Sequence, residues 1–248
     1  MDVFALVLTY ATILIAKRPS SRKMTYGYHR LEIFSALING FTLIIISVFI
    51  AREAYFRLLE PPHVRGLEML VIAAAGLLVN LWVITRLHGH HDLNVRGAYL
   101  HALGDTLSSV AVIAGALIIL FTGNLLADPV LSFIIVAIIL LGSIRLIRDS
   151  LHILMESAPS HVDINKLVEA VNSIEGVEGI HDIHVWNVCS NVHALSAHIL
   201  VGEIQVYETI ALIDAINKVM AGKFDITLTT FQFESIECGR HLIHGIKH

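Results

Sequence analysis

The segment from Ala98 to Phe121 is apolar and long enough to cross a bilayer as one helix, yet it carries a histidine and an aspartate. At ~1.5 Å per residue it reaches about 36 Å, against a hydrocarbon core of roughly 30 Å. The two polar residues, in His101-Ala-Leu-Gly-Asp105, are four apart, so a helix stacks their side chains on one face. Ionisable groups at membrane depth are costly and need a partner or a task. A neutral imidazole beside a carboxylate is half of a site for a borderline divalent metal such as zinc. The plain alternative is a buried, hydrogen-bonded pair that holds helices together. The rest of the chain decides between them by what else it can bring to this face.

Other segments share the apolar character. Val3 to Ala16 is apolar and ends at Lys17-Arg18-Pro19, but its fourteen residues reach only about 21 Å, so it reads as part of a span. The remaining helices are expected over about 31–52, 67–87, 98–121 and 129–147, with Asp128 as N-cap and Pro129 in the first turn of the last. Asn39 and Asn80 sit inside spans, where amides more often join helices than touch a substrate. The whole chain is 55% hydrophobic and only 15% charged, which is the balance of a membrane protein. A net charge of −4 offers no basic face to track phosphates, so no nucleic-acid partner is expected. Two cysteines, Cys189 and Cys238, make no disulfide framework, and an acidic residue straight after Met1 is unlike a signal peptide.

Charge bias gives the orientation. The first loop holds Lys17, Arg18, Arg22, Lys23 and Arg30 with no acid before Glu32, so it is expected inside. The loop near Pro61 is then outside and the one with Arg86, His88, His90, His91 and Arg96 inside. The Gly123–Ala127 turn is outside, and everything after Arg148 is cytoplasmic. His88, His90 and His91 read equally well as a solvated loop and as a device that collects metal. This is an integral, multi-pass protein, of the inner membrane if the cell is prokaryotic.

After Ser157-Ala158-Pro159 the pattern becomes that of a small soluble domain. Helical spacing over Ile164–Ile174 precedes a strand over Ile180–Val188, with Ile183 and Val185 on one side and Ile180 a candidate for the same side. A strand over Ala194–Val201, a helix over Tyr207–Met220 and a strand over Ile226–Phe233 complete an α-β-β-α-β order. That order fits a two-layer α+β domain with helices on one sheet face. The expected division is 1–156 for the membrane domain, 157–236 for the soluble domain and 237–248 for a His-rich tail.

These residues resemble one family, the cation diffusion facilitators, in their zinc-transporter-like branch. The matching stretches are Tyr26-Gly27-Tyr28-His29-Arg30-Leu31-Glu32, Asn94-Val95-Arg96-Gly97-Ala98, His101 to Asp105, Ala127-Asp128-Pro129 and His181-Asp182-Ile183-His184-Val185-Trp186. They cover nearly the whole chain in the family's order. The resemblance implies a multi-pass α-helical membrane domain with five of the family's six helices present, the first partial. A C-terminal ferredoxin-like, metallochaperone-like cytoplasmic domain and a homodimer are implied with it.

The same resemblance assigns residues. The family's membrane site uses two His/Asp pairs; the later pair is His101 and Asp105, and Asp2, followed by Val3-Phe4-Ala5-Leu6, matches the carboxylate of the earlier pair. Its histidine would precede Met1, so the chain reads as truncated at its start. In the soluble domain the family's ligand positions fall on His181, His198 and Glu234, and His181, His184 and His198 are also readable as ordinary strand-end residues. A further histidine of related sequences falls near Leu228 and is absent. Ser21, Met24 and Tyr28 occupy the positions of a loop site, so no metal is expected there. Arg30 and Glu156 are candidates for a charge interlock across the dimer.

The implied activity is zinc efflux from the cytoplasm in exchange for protons, with cadmium or cobalt as other cargo. A competing reading is a transport-inactive fragment or subunit that dimerises and binds zinc through its soluble domain. An intramembrane metalloenzyme is disfavoured, since no His-Glu-x-x-His occurs.

Overall fold

A computed structural model describes residues 2–60, 66–87, 93–122 and 126–236. The chain divides into two compact units, Met1–Leu151 and His152–His248.

The first unit is helical: α1 (Asp2–Ala16), α2 (Leu31–Leu59), α3 (Gly66–Leu87), α4 (Leu93–Thr122) and most of α5 (Ala127–Leu154). Three of these outrun the apolar runs. α2 continues seven residues past Arg52, because Arg52-Glu-Ala-Tyr-Phe-Arg-Leu-Leu59 is made mostly of good helix formers and Arg57 Nε reaches Glu53 Oε1 at 3.3 Å one turn back. α4 begins before the apolar run, so the Asn94–Ala98 motif is helical rather than loop. α5 starts at Ala127, which puts Asp128 inside the first turn and not at the N-cap. There Asp128 Oδ2 lies 3.4 Å from Arg57 Nη1 of α2. At the other end of α5, Asp149 Oδ2 accepts a hydrogen bond from Arg96 Nη1 of α4 at 2.6 Å.

The unit is packed by its small and polar residues. The buried stripe of α2 holds Ile33, Ala36, Gly40, Leu43 and Ser47, spaced by three and four, and Ala54 two turns further on, whereas Phe34, Phe41, Ile45 and Phe49 are exposed. Small residues facing inward are what helix packing in lipid requires, since tails are as apolar as leucine and only close contact distinguishes a partner. At Gly40 a Cβ would lie 2.7 Å from Ile147 Cγ1 of α5, and at Gly104 one would lie 3.0 Å from Ile139 Cδ1. Asn39 Nδ2 donates to Thr9 Oγ1 of α1 at 3.3 Å, the helix-joining role expected of it. Ser143 and Ser150 turn their hydroxyls back onto the carbonyls of Ile139 and Leu146. Leu43 of α2 meets Ile135 and Ile139 of α5, with Leu100 and Leu107 of α4 against them.

The second unit follows the expected order: α6 (Ile164–Asn172), β1 (Gly179–Cys189), β2 (Val192–Leu200), a 3-10 turn (Val206–Glu208), α7 (Thr209–Phe224) and β3 (Ile226–Glu234). Asp163 caps α6 by accepting from the amides of Asn165 and Lys166 at 2.9 and 3.4 Å. The sheet order is β1-β2-β3; β1 runs antiparallel to β2, and β3 returns parallel to β2 after the α7 crossover. Leu167 and Val171 of α6 and Ile216, Met220 and Phe224 of α7 close the core over the sheet. Ile180, Ile183 and Val185 are all buried, although Ile180 and Ile183 would oppose each other in a regular strand. The register breaks between His181 and His184, and Asp182 takes a left-handed backbone with φ 50°. This bulge inserts one residue and brings Ile180 back to the core side.

Candidate metal centres

The membrane centre begins with α4, which is unbroken from Leu93 to Thr122. Its regular backbone keeps His101 and Asp105 on one face, and Asp105 is half-buried. Ser109 Oγ donates to the Asp105 carbonyl at 2.9 Å, leaving the helix regular through the motif. Gly104, between the pair, faces Ile139 of α5, whose Cδ1 would lie 3.0 Å from a Cβ placed there. Asp2 opens α1, and α1 packs against both α2 and α4. The side chains of Asp2 and His101 fall outside the described residues, as do His88, His90, His91 and the 237–248 tail. Arg30 immediately precedes α2, and Glu156 follows α5 with φ 57°. The two belong to different compact units.

The soluble centre can be given at atomic detail. β1 and β2 pair so that His181 faces His198 across the ladder, and their rings stand 5.3 Å apart. Glu234 ends β3, on the far side of β2, and reaches back to both. Its Oε2 is 3.2 Å from His181 Nε2 and its Oε1 is 2.9 Å from His198 Nδ1. Gln232 Nε2 donates to the same Oε1 at 2.9 Å. His181 and Glu234 are each only 8% exposed. The His181 Nε2 contact is close but badly directed, so that buried nitrogen makes no hydrogen bond within the described residues.

An orphaned imidazole nitrogen beside a buried carboxylate is expensive as a purely structural arrangement. One donor atom from each of His181, His198 and Glu234 lies within 4.8 Å of the other two. A tetrahedral zinc ion about 2.0–2.2 Å from each donor would separate them by roughly 3.5 Å, so the set fits such an ion after small side-chain shifts. The structure thus brings together the three residues expected there.

Two neighbours escaped sequence reading. Asp182 Oδ1 is 3.2 Å from His184 Nε2, and its Oδ2 is 3.5 Å from His198 Nε2. In the run His181-Asp-Ile-His184 strict alternation would send Asp182 to the opposite face from His181, and only the bulge changes that. The second is a buried polar knot. Asn187 Nδ2 donates to the Ser157 carbonyl at 3.0 Å, and Asn187 Oδ1 lies 2.7 Å from His193 Nδ1. The His193 ring stacks edge-on against His161 at 5.0 Å, and His161 Nε2 is 3.1 Å from the Phe224 carbonyl. Burial holds the His193 pKa below its ordinary 6.5, the charge of His161 lowers it further, and Asp225 pulls the other way.

An apolar helical unit packed by small residues, joined to an α+β unit with a His/His/Glu cluster, has the plan of a polytopic membrane protein with a soluble domain that carries candidate metal ligands. Residues 1–155 match the cation efflux transmembrane domain, and residues 159–236 match the cytoplasmic domain of cation efflux proteins. The chain belongs to the cation efflux family, the cation diffusion facilitators. It is 38% identical to the "Metal cation efflux system protein CzcD" of Cupriavidus metallidurans, over 96% of this chain and 75% of that one. It is 36% identical to the "Cadmium, cobalt and zinc/H(+)-K(+) antiporter" of Bacillus velezensis, over 94% of this chain and 76% of that one. With the "Zinc transporter ZitB" of Escherichia coli it shares 35% identity over 99% of its length and 80% of the relative's. The chain is an integral inner-membrane protein with a cytoplasmic C-terminal domain, a transporter of divalent metal cations rather than an enzyme.

Proposed function

We propose that this protein exports zinc from the cytoplasm in exchange for protons. The observation that carries this reading is the His101/Asp105 pair, four apart in an unbroken helix of the transmembrane domain. His101, Asp105 and Asp2 form the transport site. Nitrogen and oxygen donors together suit zinc, with cadmium or cobalt as lesser cargo, and disfavour magnesium and calcium, which take oxygen alone. Metal needs the imidazole neutral and the carboxylates ionised, so protons compete for the same atoms. Protonation on the acidic side releases the ion, and proton loss on the cytoplasmic side restores affinity.

His181, His198 and Glu234 hold a second, non-transported zinc in the cytoplasmic domain, supported by the orphaned His181 nitrogen and the donor spacing. Dimerisation through this domain follows from its family, and Arg30 with Glu156 forms the charge interlock of the dimer. His88, His90 and His91 collect metal at the inner face. Nothing favours the transport-inactive alternative over export, since the match to efflux proteins runs through both domains.

The test is zinc resistance in cells stripped of other exporters, followed by flux in reconstituted vesicles. His101→Ala and Asp105→Ala should each abolish resistance while the protein still reaches the membrane. Vesicle zinc flux should be driven by an imposed pH gradient. Undiminished resistance in both variants would sink the assignment of the site, and flux indifferent to pH would sink the coupling.

A further inference from the structure

The geometry points to Asp182 as the residue that orients His198 toward the metal, so that the cytoplasmic centre is a carboxylate–histidine–metal arrangement and not three ligands alone. It rests on the reading that His181, His198 and Glu234 bind an ion. Both nitrogens of His198 face a carboxylate. Nδ1 is 2.9 Å from Glu234 Oε1, on the side where the candidate ligands converge, and Nε2 is 3.5 Å from Asp182 Oδ2. A ligating histidine presents a lone pair to the ion only when its other nitrogen carries the proton, and a carboxylate accepting that proton fixes both tautomer and ring angle. Asp182 is the group placed to accept from Nε2.

The backbone supports this role. Asp182 is one of three non-glycine residues with positive φ among the described residues, and it sits on the bulge of β1. A left-handed aspartate is tolerated but carries a cost. A regular strand would have turned its carboxylate away from the face that holds His181. The bulge re-aims it, and His184 Nε2 at 3.2 Å from Oδ1 holds the carboxylate from the other side. His184 is half-exposed and acts as a prop rather than a ligand.

The experiment uses the whole chain in detergent, with His101→Ala and Asp105→Ala removing the membrane pair, and zinc affinity measured against a chromophoric chelator. Asp182→Asn keeps the size and the tolerance for a left-handed backbone but removes the charge. It should weaken zinc binding by about 10- to 100-fold, the usual effect of losing an outer partner. Asp182→Gly, which relieves the backbone, should lose as much, and His184→Ala less. In the zinc-loaded chain, nitrogen-edited NMR should find a downfield Nε2–H proton on His198 that moves upfield in Asp182→Asn. A merely structural aspartate would not produce that signal. If His181→Ala abolishes binding while both Asp182 variants retain it, the orienting role is wrong. If His181→Ala binds zinc as tightly as its parent, the centre itself is wrong.

Discussion

His193 is the residue whose chemistry is most constrained. Since Asn187 Nδ2 is committed to the Ser157 carbonyl, its Oδ1 must accept, and His193 must carry its proton on Nδ1. Adding a second proton would place a charge in a buried site against His161. The folded state therefore binds fewer protons here than the unfolded chain. Stability from this residue is present above the ordinary pKa of 6.5 and is lost as pH falls from there through the lowered folded value. Thermal unfolding of the cytoplasmic unit should show a midpoint that drops below about pH 6, with the drop reduced in His193→Asn; an identical pH profile in that variant would refute the assignment. None of this was legible in the sequence, where His161 and His193 are thirty-two positions apart and neither lies in a motif. His181, His198 and Glu234 were legible through resemblance, but Asp182 was not, because a bulge breaks the alternation on which a strand reading depends.

At the scale of elements, apolar run length located every helix of the membrane unit but not the ends of α2, α4 and α5. Those ends are charged, and a hydropathy reading stops where charge begins. The structure carries them on through ion pairs: Arg57 with Asp128 and Arg96 with Asp149 tie α5 to α2 at one end and to α4 at the other. Between those ties, α2 and α5 approach at Gly40 and Ile147. Ile147 Cγ1 sits close to its own backbone and has little room to turn away. Gly40→Val should therefore separate α2 from α5 and cost about 1–3 kcal/mol, the usual range for overpacking. The measurement is the denaturant midpoint in mild detergent, with Phe41→Val, a neighbouring exposed position, as a control expected to change little. Equal midpoints for the two variants would mean that the helices are not in contact there.

For the whole molecule, the interlock proposed between Arg30 and Glu156 gives a charge-reversal test. Arg30→Glu or Glu156→Arg alone should reduce zinc resistance, and the double reversal should restore most of it; additive damage would count against the pairing. The two-domain plan was visible in the sequence because composition changes abruptly after Ser157-Ala158-Pro159. How the membrane unit is built inverts a familiar rule. Many of its bulky side chains, Phe121 and Leu141 among them, stand outward, while Ser35, Ala36, Gly40 and Ser47 share the interior with Ile33, Leu43 and Leu146. Mutational tolerance should be turned inside out accordingly. Evolution can exchange one large oily group for another on the perimeter almost freely, while the addition of a single methyl at the centre is a lesion.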